Sequence, residues 1–178
     1  MSKTVFGARA HRSDGFVHVR LTGLVVARAY TIANAVRLGN LTLVVGDAAA
    51  ARSVALLALL MDDVSHRLNH SYVDRELGKE ATTVVTALVE LHGKQRLSEF
   101  TITPAGVAVD RCGEASVTMG TFRISVRDRH AAEAVSSALA NAYEEARHQY
   151  TGLVPFEEFK ATRNRRRVSN KKRRGQKV

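Results

Sequence analysis

The chain has 178 residues, of which 45% are apolar, and its formal net charge is +10. This size predicts a single domain with an ordinary hydrophobic core. The single cysteine excludes an intramolecular disulfide framework.

The N-terminal part of the chain is predicted to contain two strands and a helix. Residues 3–6 and 16–21 have the apolar and alternating patterns of strands, and the polar, basic residues 7–15 between them are predicted to be a loop. Residues 24–38 carry a polar residue at every third position, which predicts a helix with one narrow polar stripe.

The middle of the chain is predicted to be one buried strand followed by two helices. Residues 41–45 are apolar on both faces, as in a central strand. Asp47 is a suitable N-cap for a helix over 48–70, and a second helix is predicted over 74–92.

Residues 46–53 occupy the place of a phosphate-binding Walker A loop but lack its second glycine and its lysine. A strand followed by an Asp-capped helix is therefore the preferred interpretation.

Three further strands and a long helix are predicted next. The strands cover residues 99–103, 107–109 and 116–127. In the last of these, the apolar positions change parity at Gly120, which predicts a β-bulge. Asp128 is a suitable N-cap for a helix that continues to about residue 150.

The predicted element order is β-β-α-β-α-α-β-β-β-α, and no internal repeat stands out. Helices and strands that alternate early and segregate later indicate the α+β class, here a two-layer mixed α/β domain. We predict a single domain over residues 1–152, a short linker or helical turn over 153–159, and a polybasic C-terminal arm over 160–178.

The predicted arm carries the whole net charge. No acidic residue follows Glu158, so residues 1–159 balance at seventeen basic and seventeen acidic side chains. A polybasic segment of this kind cannot bury enough apolar surface to fold alone, and it would reach about 60 Å when extended. Its cations are Lys160, Arg163, Arg165, Arg166, Arg167, Lys171, Lys172, Arg173, Arg174 and Lys177.

Nucleic acid is the partner that such an arm favours, because each neutralised phosphate releases counterions. Arginine binds the phosphates of DNA and of RNA equally well. A solubilising tail and weak binding to an anionic membrane surface are the alternatives. Arg9 and Arg12 in the N-terminal loop are predicted as additional phosphate contacts, against the alternative that this loop is only solvated.

One group of side chains has the spacing of a metal site. Asp63, His66 and His70 fall on one face of the predicted helix, with Asp74 one turn further on. A solvated polar face is the preferred interpretation, since no glutamate follows His66 as in zinc proteases. We therefore predict no metal, no cofactor and no catalytic residue.

The first functional hypothesis is a non-enzymatic nucleic-acid-binding protein with little sequence preference, working in a nucleoprotein assembly. The nearly neutral body would bind protein partners or other copies of the chain. The second hypothesis is a structural subunit of a phage virion or ribosome-like particle, and the third is a metal-dependent hydrolase. No transmembrane segment is apparent, so the expected location is the cytoplasm of a bacterial or phage-infected cell, a virion, or the nucleus in a eukaryote.

Overall fold

The computed structural model describes residues 9–13, 16–21, 30–32, 34–38, 41–68, 87–98, 100–104 and 113–175. These residues form the predicted α+β fold. The strands are β1 (Arg9–Ser13), β2 (Phe16–Leu21), β3 (Tyr30–Ile32), β4 (Ala35–Leu38), β5 (Leu41–Val45), β6 (Ala87–Leu91), β7 (Thr101–Pro104), β8 (Gly113–Met119) and β9 (Phe122–Val126). The helices are α1 (Ala48–Ser65), α2 (Arg129–Gln149) and α3 (Phe156–Gly175).

The strands form two mixed sheets. The first sheet has the order β3-β4-β5-β6, and the second has the order β1-β2-β9-β8-β7. In each sheet one pair is parallel, β5 with β6 and β2 with β9, and the other pairs are antiparallel.

Both sheets turn one face towards α1 and α2, and all four share one hydrophobic core. In β5 the residues Leu41, Leu43 and Val45 are buried while their neighbours are only half-buried, as expected for alternation in a strand. α1 is buried on most sides because it packs against both α2 and the sheets. The predicted caps are confirmed: Asp47 accepts from Ala50 N and Asp128 from Ala131 N, each at 2.7 Å.

The chain contains an internal repeat, so the prediction of none is wrong. Residues 36–58 align with residues 117–139 without a gap, and β4, β5 and α1 correspond in order to β8, β9 and α2. The repeat is hard to see in the sequence because the matches are small or common apolar residues around one capping aspartate. The identical pairs are Val36/Val117, Gly39/Gly120, Val45/Val126, Asp47/Asp128, Ala50/Ala131, Ala51/Ala132 and Val54/Val135.

The strands that precede the two repeats are exchanged between the sheets. β6 runs parallel to β5 with Ala87 beside Leu41, and β2 runs parallel to β9 with Val17 beside Phe122. Leu41 and Phe122 are equivalent in the repeat, so β6 and β2 take equivalent places in the two sheets. β2 precedes the first repeat and β6 the second, and each pairs with the other repeat.

The helix predicted over 24–38 is wrong where the structure describes it. β3 and β4 occupy this stretch as a tight hairpin, with Ile32 beside Ala35. Within β4, exposed Arg37 stands between buried Val36 and Leu38, which is a period of two residues. Polar residues three apart do not distinguish a helix from two short strands joined by a turn.

Two other predicted elements have the wrong type. Arg9–Ser13, predicted as part of a loop, is strand β1. Ala87–Leu91, predicted as the end of a helix, is strand β6, which pairs with a strand more than forty residues away in the sequence. Long-range pairing overrides local propensity at β6. β1 instead forms a local hairpin with β2, in which Ser13 pairs with Phe16.

The single bulged strand predicted over 116–127 is a hairpin of β8 and β9. Met119 pairs with Phe122 across a turn of Gly120 and Thr121, so the parity change marks the turn. Gly120 has a φ of 57°, in the left-handed region that favours glycine. The strands predicted over 3–6 and 107–109 lie outside the described residues.

None of the three helices in the described part of the chain combines the length and hydrophobicity that a membrane span requires.

Candidate nucleic-acid interface

The polybasic segment is part of helix α3, which begins at Phe156. Pro155 precedes it, and the carboxylate of Glu144 on α2 accepts a hydrogen bond from Phe156 N at 2.6 Å. Burial alone would raise the pKa of Glu144, but the bonds from Phe156 N and Arg147 outweigh it and hold the pKa below its ordinary value. The first turn of α3 is therefore fixed by a charged acceptor on α2.

Tyr143 is the apolar anchor of α3. It is completely buried, and its ring centroid lies 5.9 Å from that of Phe156 and 5.6 Å from that of Phe159. Its hydroxyl donates to Val154 O at 2.7 Å. Burial raises the pKa of Tyr143, so this hydroxyl remains a donor at neutral pH.

Three of the predicted nucleic-acid contacts bind the body of the protein instead. Lys160 Nζ lies 3.4 Å from an Asp62 carboxylate oxygen, and Arg167 Nη1 lies 2.9 Å from one of Asp63. Arg163 donates to the carbonyl oxygen of Leu56 at 3.4 Å. Residues 160, 163 and 167 share one face of a helix, and this face lies against α1.

The flexible arm predicted over 160–178 is a helix as far as Gly175. Like charges within one turn disfavour an isolated helix, but here the N-terminal half is held by Tyr143 and by the two aspartates of α1. A helix of this length spans about 30 Å, half the reach of an extended arm. The cations are thus presented on a helical surface.

The remaining cations of the predicted arm over 160–178 fall into three groups. Arg165, Arg166 and Lys171 are exposed on the helix. Lys172, Arg173 and Arg174 continue the helix to its last turn. Lys177 lies outside the described residues.

Arg9 and Arg12, predicted to act together in a loop, are separated by the alternation of β1. The register places Arg9 beside Arg20 and Arg12 beside Val17, and positions 17 and 20 of β2 have opposite parity. Because such positions belong to opposite faces of a sheet, the two arginines do not form one contact surface. The parallel β2–β9 pairing places Arg123 beside His18 and Arg20 beside Ser125, a proximity that the sequence does not predict.

The weak metal candidates are only partly described. Asp63 is engaged by Arg167, and His66 forms the C-terminal end of α1. His70 and Asp74 lie outside the described residues. Within the described part of the chain, no group of three or more His, Cys, Asp and Glu side chains is placed to hold a metal ion.

A cleft of about 390 Å³ lies where the three helices meet. Its walls include Ser136 and Asn141 of α2, and the charged groups of Glu144, Asp62 and Lys160. Glu144 on α2 already accepts from Phe156 N of α3, and Asp62 on α1 is paired with Lys160 of α3. The cleft is therefore a polar joint between α3 and the body.

A second polar cluster forms where the parallel strands β5 and β6 end. Besides capping α1, Asp47 accepts from Gly93 N at 2.6 Å. His92 Nδ1 lies 3.7 Å from Asp47, and His92 Nε2 lies 3.3 Å from Glu90. The bonds from Ala50 and Gly93 hold the pKa of Asp47 below its ordinary value. Asp47 thus ties the turn after β6 to the start of α1.

Replacing Asp47 with alanine should lower the free energy of unfolding by about 1 kcal/mol at neutral pH, the usual cost of losing an N-cap. Folding lowers the pKa of Asp47, so its charged carboxylate stabilises the protein at pH values above about 4, its pKa in the unfolded chain. This stabilisation is lost as the pH falls through the lowered pKa of the folded state. Urea denaturation at about pH 7 and about pH 3 measures both effects. An equal difference between wild type and variant at the two pH values would contradict this role.

Comparisons with protein-family models, with curated proteins and with solved structures found no match to this chain.

Proposed function

We propose that this protein binds nucleic acid through its phosphate backbone, without catalysis and with little sequence preference, as part of a nucleoprotein assembly. The observation that carries the proposal is the anchored helix α3. One face is fixed to α1 by Lys160, Arg163 and Arg167, and the exposed Arg165 and Arg166 lie outside that face. Lys171 is also exposed, one turn beyond Arg167. The location proposed with this function is the cytoplasm of a bacterial or phage-infected cell, with a virion, or the nucleus in a eukaryote, as the alternatives.

Anchoring favours binding in two ways. A fixed helix has already lost much of the conformational entropy that a disordered arm would lose on binding. The charges of Asp62 and Asp63 are also satisfied by Lys160 and Arg167, so they repel an approaching phosphate less. The pKa of Arg163 is lowered by burial and by the neighbouring charge of Arg167, which together outweigh the opposite effect of Asp63. This is expected for a cation held at an interface.

The test is a charge reversal on the exposed side of α3. Arg165→Glu with Arg166→Glu should weaken binding to a fluorescent oligonucleotide by at least about tenfold and reduce the salt slope by about two. Lys94→Glu with Arg96→Glu is the matched control, since both residues are exposed on the body and the change in net charge is the same. Fluorescence anisotropy over a salt series measures both quantities.

Equal losses in the two double variants would overturn the proposal, because net charge and not α3 would then account for binding. Binding that does not weaken with added salt would overturn it as well. Circular dichroism checks that each variant keeps the helical content of the wild type.

A structural subunit of a virion or ribosome-like particle is the second candidate. Leu88, a large apolar side chain on β6 that is 72% exposed, is a point where another subunit could pack, although a single such residue is normal on a protein surface. The size of nuclease-treated protein separates the two candidates: a fixed multimer without nucleic acid favours the particle subunit.

A further inference from the structure

The later part of α3 projects from the body of the protein. Every residue from Asn164 to Lys171 is exposed, and these successive positions cover the full circumference of a helix. Within the described part of the chain, the polar contact that joins this stretch to the body is the ion pair of Arg167 with Asp63, in which the arginine side chain is still 61% exposed. We call residues 164–171 the projecting segment.

The charges of α3 are separated along its length. Glu157 and Glu158 lie in the first turn, which is fixed to α2. Arg165, Arg166 and Lys171 lie in the projecting segment, and no acidic residue follows Glu158 in the sequence. The anchored end therefore carries the groups that repel a polyanion, and the projecting end carries those that attract one.

The exposed cations of the projecting segment point in three directions. Relative to the face of α3 that lies against α1, Arg166 is about 90° to one side, Lys171 about 50° to the other, and Arg165 almost opposite. None of the three has a partner among the residues that the structure describes. A helix laid along one row of phosphates would use the cations of one face, whereas cations on several sides are all neutralised where phosphates stand on both sides of the helix.

The major groove of B-form DNA has this arrangement. The groove is about 12 Å wide and about 8.5 Å deep, a phosphate backbone borders it on each side, and it admits an α-helix. The projecting segment is about 12 Å long, and the helix continues to Gly175. The corresponding groove of double-stranded RNA is deep and narrow, and a single strand has one backbone only.

We infer that the projecting segment of α3 binds in the major groove of double-stranded DNA, with Arg166 and Lys171 on the two phosphate backbones and Arg165 towards the floor of the groove. The inference rests on the proposed function for nucleic acid as the ligand and narrows that ligand to duplex DNA. Contacts to phosphates carry no sequence information, so this mode of binding agrees with little sequence preference.

Asn170→Pro tests the inference, because it interrupts the helix and leaves every charge in place. Proline removes one helical hydrogen bond and clashes with the preceding turn, so Lys171 can no longer lie in one groove with Arg165 and Arg166. Binding to a DNA duplex of about 20 base pairs should weaken at least about fivefold, and binding to an RNA duplex of the same length by less than about twofold. Fluorescence anisotropy measures both affinities.

Asn170→Ala is the matched control. It changes the same exposed position and keeps a good helix former there, so neither affinity should change. The anchors of α3 precede residue 170, and an unchanged melting temperature checks that both variants keep the body folded.

A modified duplex tests the groove itself. Bulky substituents at C5 of the pyrimidines occupy the major groove and leave the phosphates unchanged. The wild-type protein should bind such a duplex at least about fivefold more weakly than the plain duplex. Equal affinities would overturn the inference.

The α3 charge reversal separates this inference from the proposed function. If Arg165→Glu with Arg166→Glu loses affinity and Asn170→Pro does not, the groove inference falls and the proposed function stands. If the charge reversal costs no more than its control, both fall. Equal losses for the DNA and RNA duplexes in Asn170→Pro would overturn the assignment to the major groove of DNA.

Discussion

Replacing Tyr143 with alanine is expected to destabilise the protein by about 3–5 kcal/mol, the usual cost of deleting a buried aromatic ring. Tyr143 is completely buried and contacts both Phe156 and Phe159 of α3. The cavity therefore opens at the joint between α2 and α3. Urea denaturation followed by circular dichroism measures the loss.

The same substitution should release α3 as well as weaken the core. Without the tyrosine ring, α3 keeps the ion pairs of Lys160 and Arg167, and exposed pairs contribute only about 0.2–1 kcal/mol each. Trypsin, which cleaves after lysine and arginine, should then remove the basic segment much faster than in the wild type. Tyr143→Phe is the matched control, since it loses only the bond to Val154 O and should cost about 1 kcal/mol.

A Tyr143→Ala protein that keeps a trypsin-resistant α3 would show that the polar contacts of this helix with α1 and α2 hold it without the ring. A loss of stability no larger than that of Tyr143→Phe would show that the ring is not part of the main core. Both results would contradict the anchoring described above.

The sequence predicts the elements whose pattern is strong and local. Strands β2 and β5 and helices α1 and α2 are confirmed, because each has clear alternation or a long apolar helical stripe with an aspartate cap. The failures are short strands. β4 shows its period of two over only four residues, and β6 pairs with β5 through a long connection that no local pattern reveals.

The sequence predicts the charge of the candidate interface but not which groups hold it in place. The cations of residues 160–178 are evident in the sequence, but the anchors of α3 are Tyr143, Asp62 and Asp63, and the aspartates lie about a hundred residues away. Likewise, β2 and β9 become neighbours only through parallel pairing across about a hundred residues of sequence, with His18 beside Arg123. Charge is a property of the sequence, whereas the choice of partner for each charge depends on tertiary structure.

The strand exchange predicts that the two sheets do not fold separately. Each repeat provides a hairpin and a helix, and it pairs in parallel with the strand that precedes the other repeat. α1 and α2 also pack against each other. We therefore expect one cooperative unit, in which disturbing β2 destabilises the second sheet and disturbing β6 destabilises the first.

Removing residues 1–21, which include β1 and β2, is expected to abolish cooperative unfolding of the whole chain. β9 would lose five residue pairs with β2, and its buried Ile124 and Val126 would lie at an open edge. At about 1 kcal/mol net for each hydrogen bond, the loss approaches the 5–15 kcal/mol that stabilises a typical domain. Differential scanning calorimetry of the truncated protein measures the result.

A synthetic peptide of residues 1–21 provides the control. Added to the truncated protein, this peptide should restore a cooperative transition. β2 stabilises the second sheet by pairing with β9, and this pairing does not require a covalent connection between the two strands. A peptide with Val19→Pro lacks a backbone N–H in the centre of β2 and should not restore it. If the truncated protein unfolds cooperatively at the temperature of the wild type without any peptide, β2 is not an integral part of the second sheet.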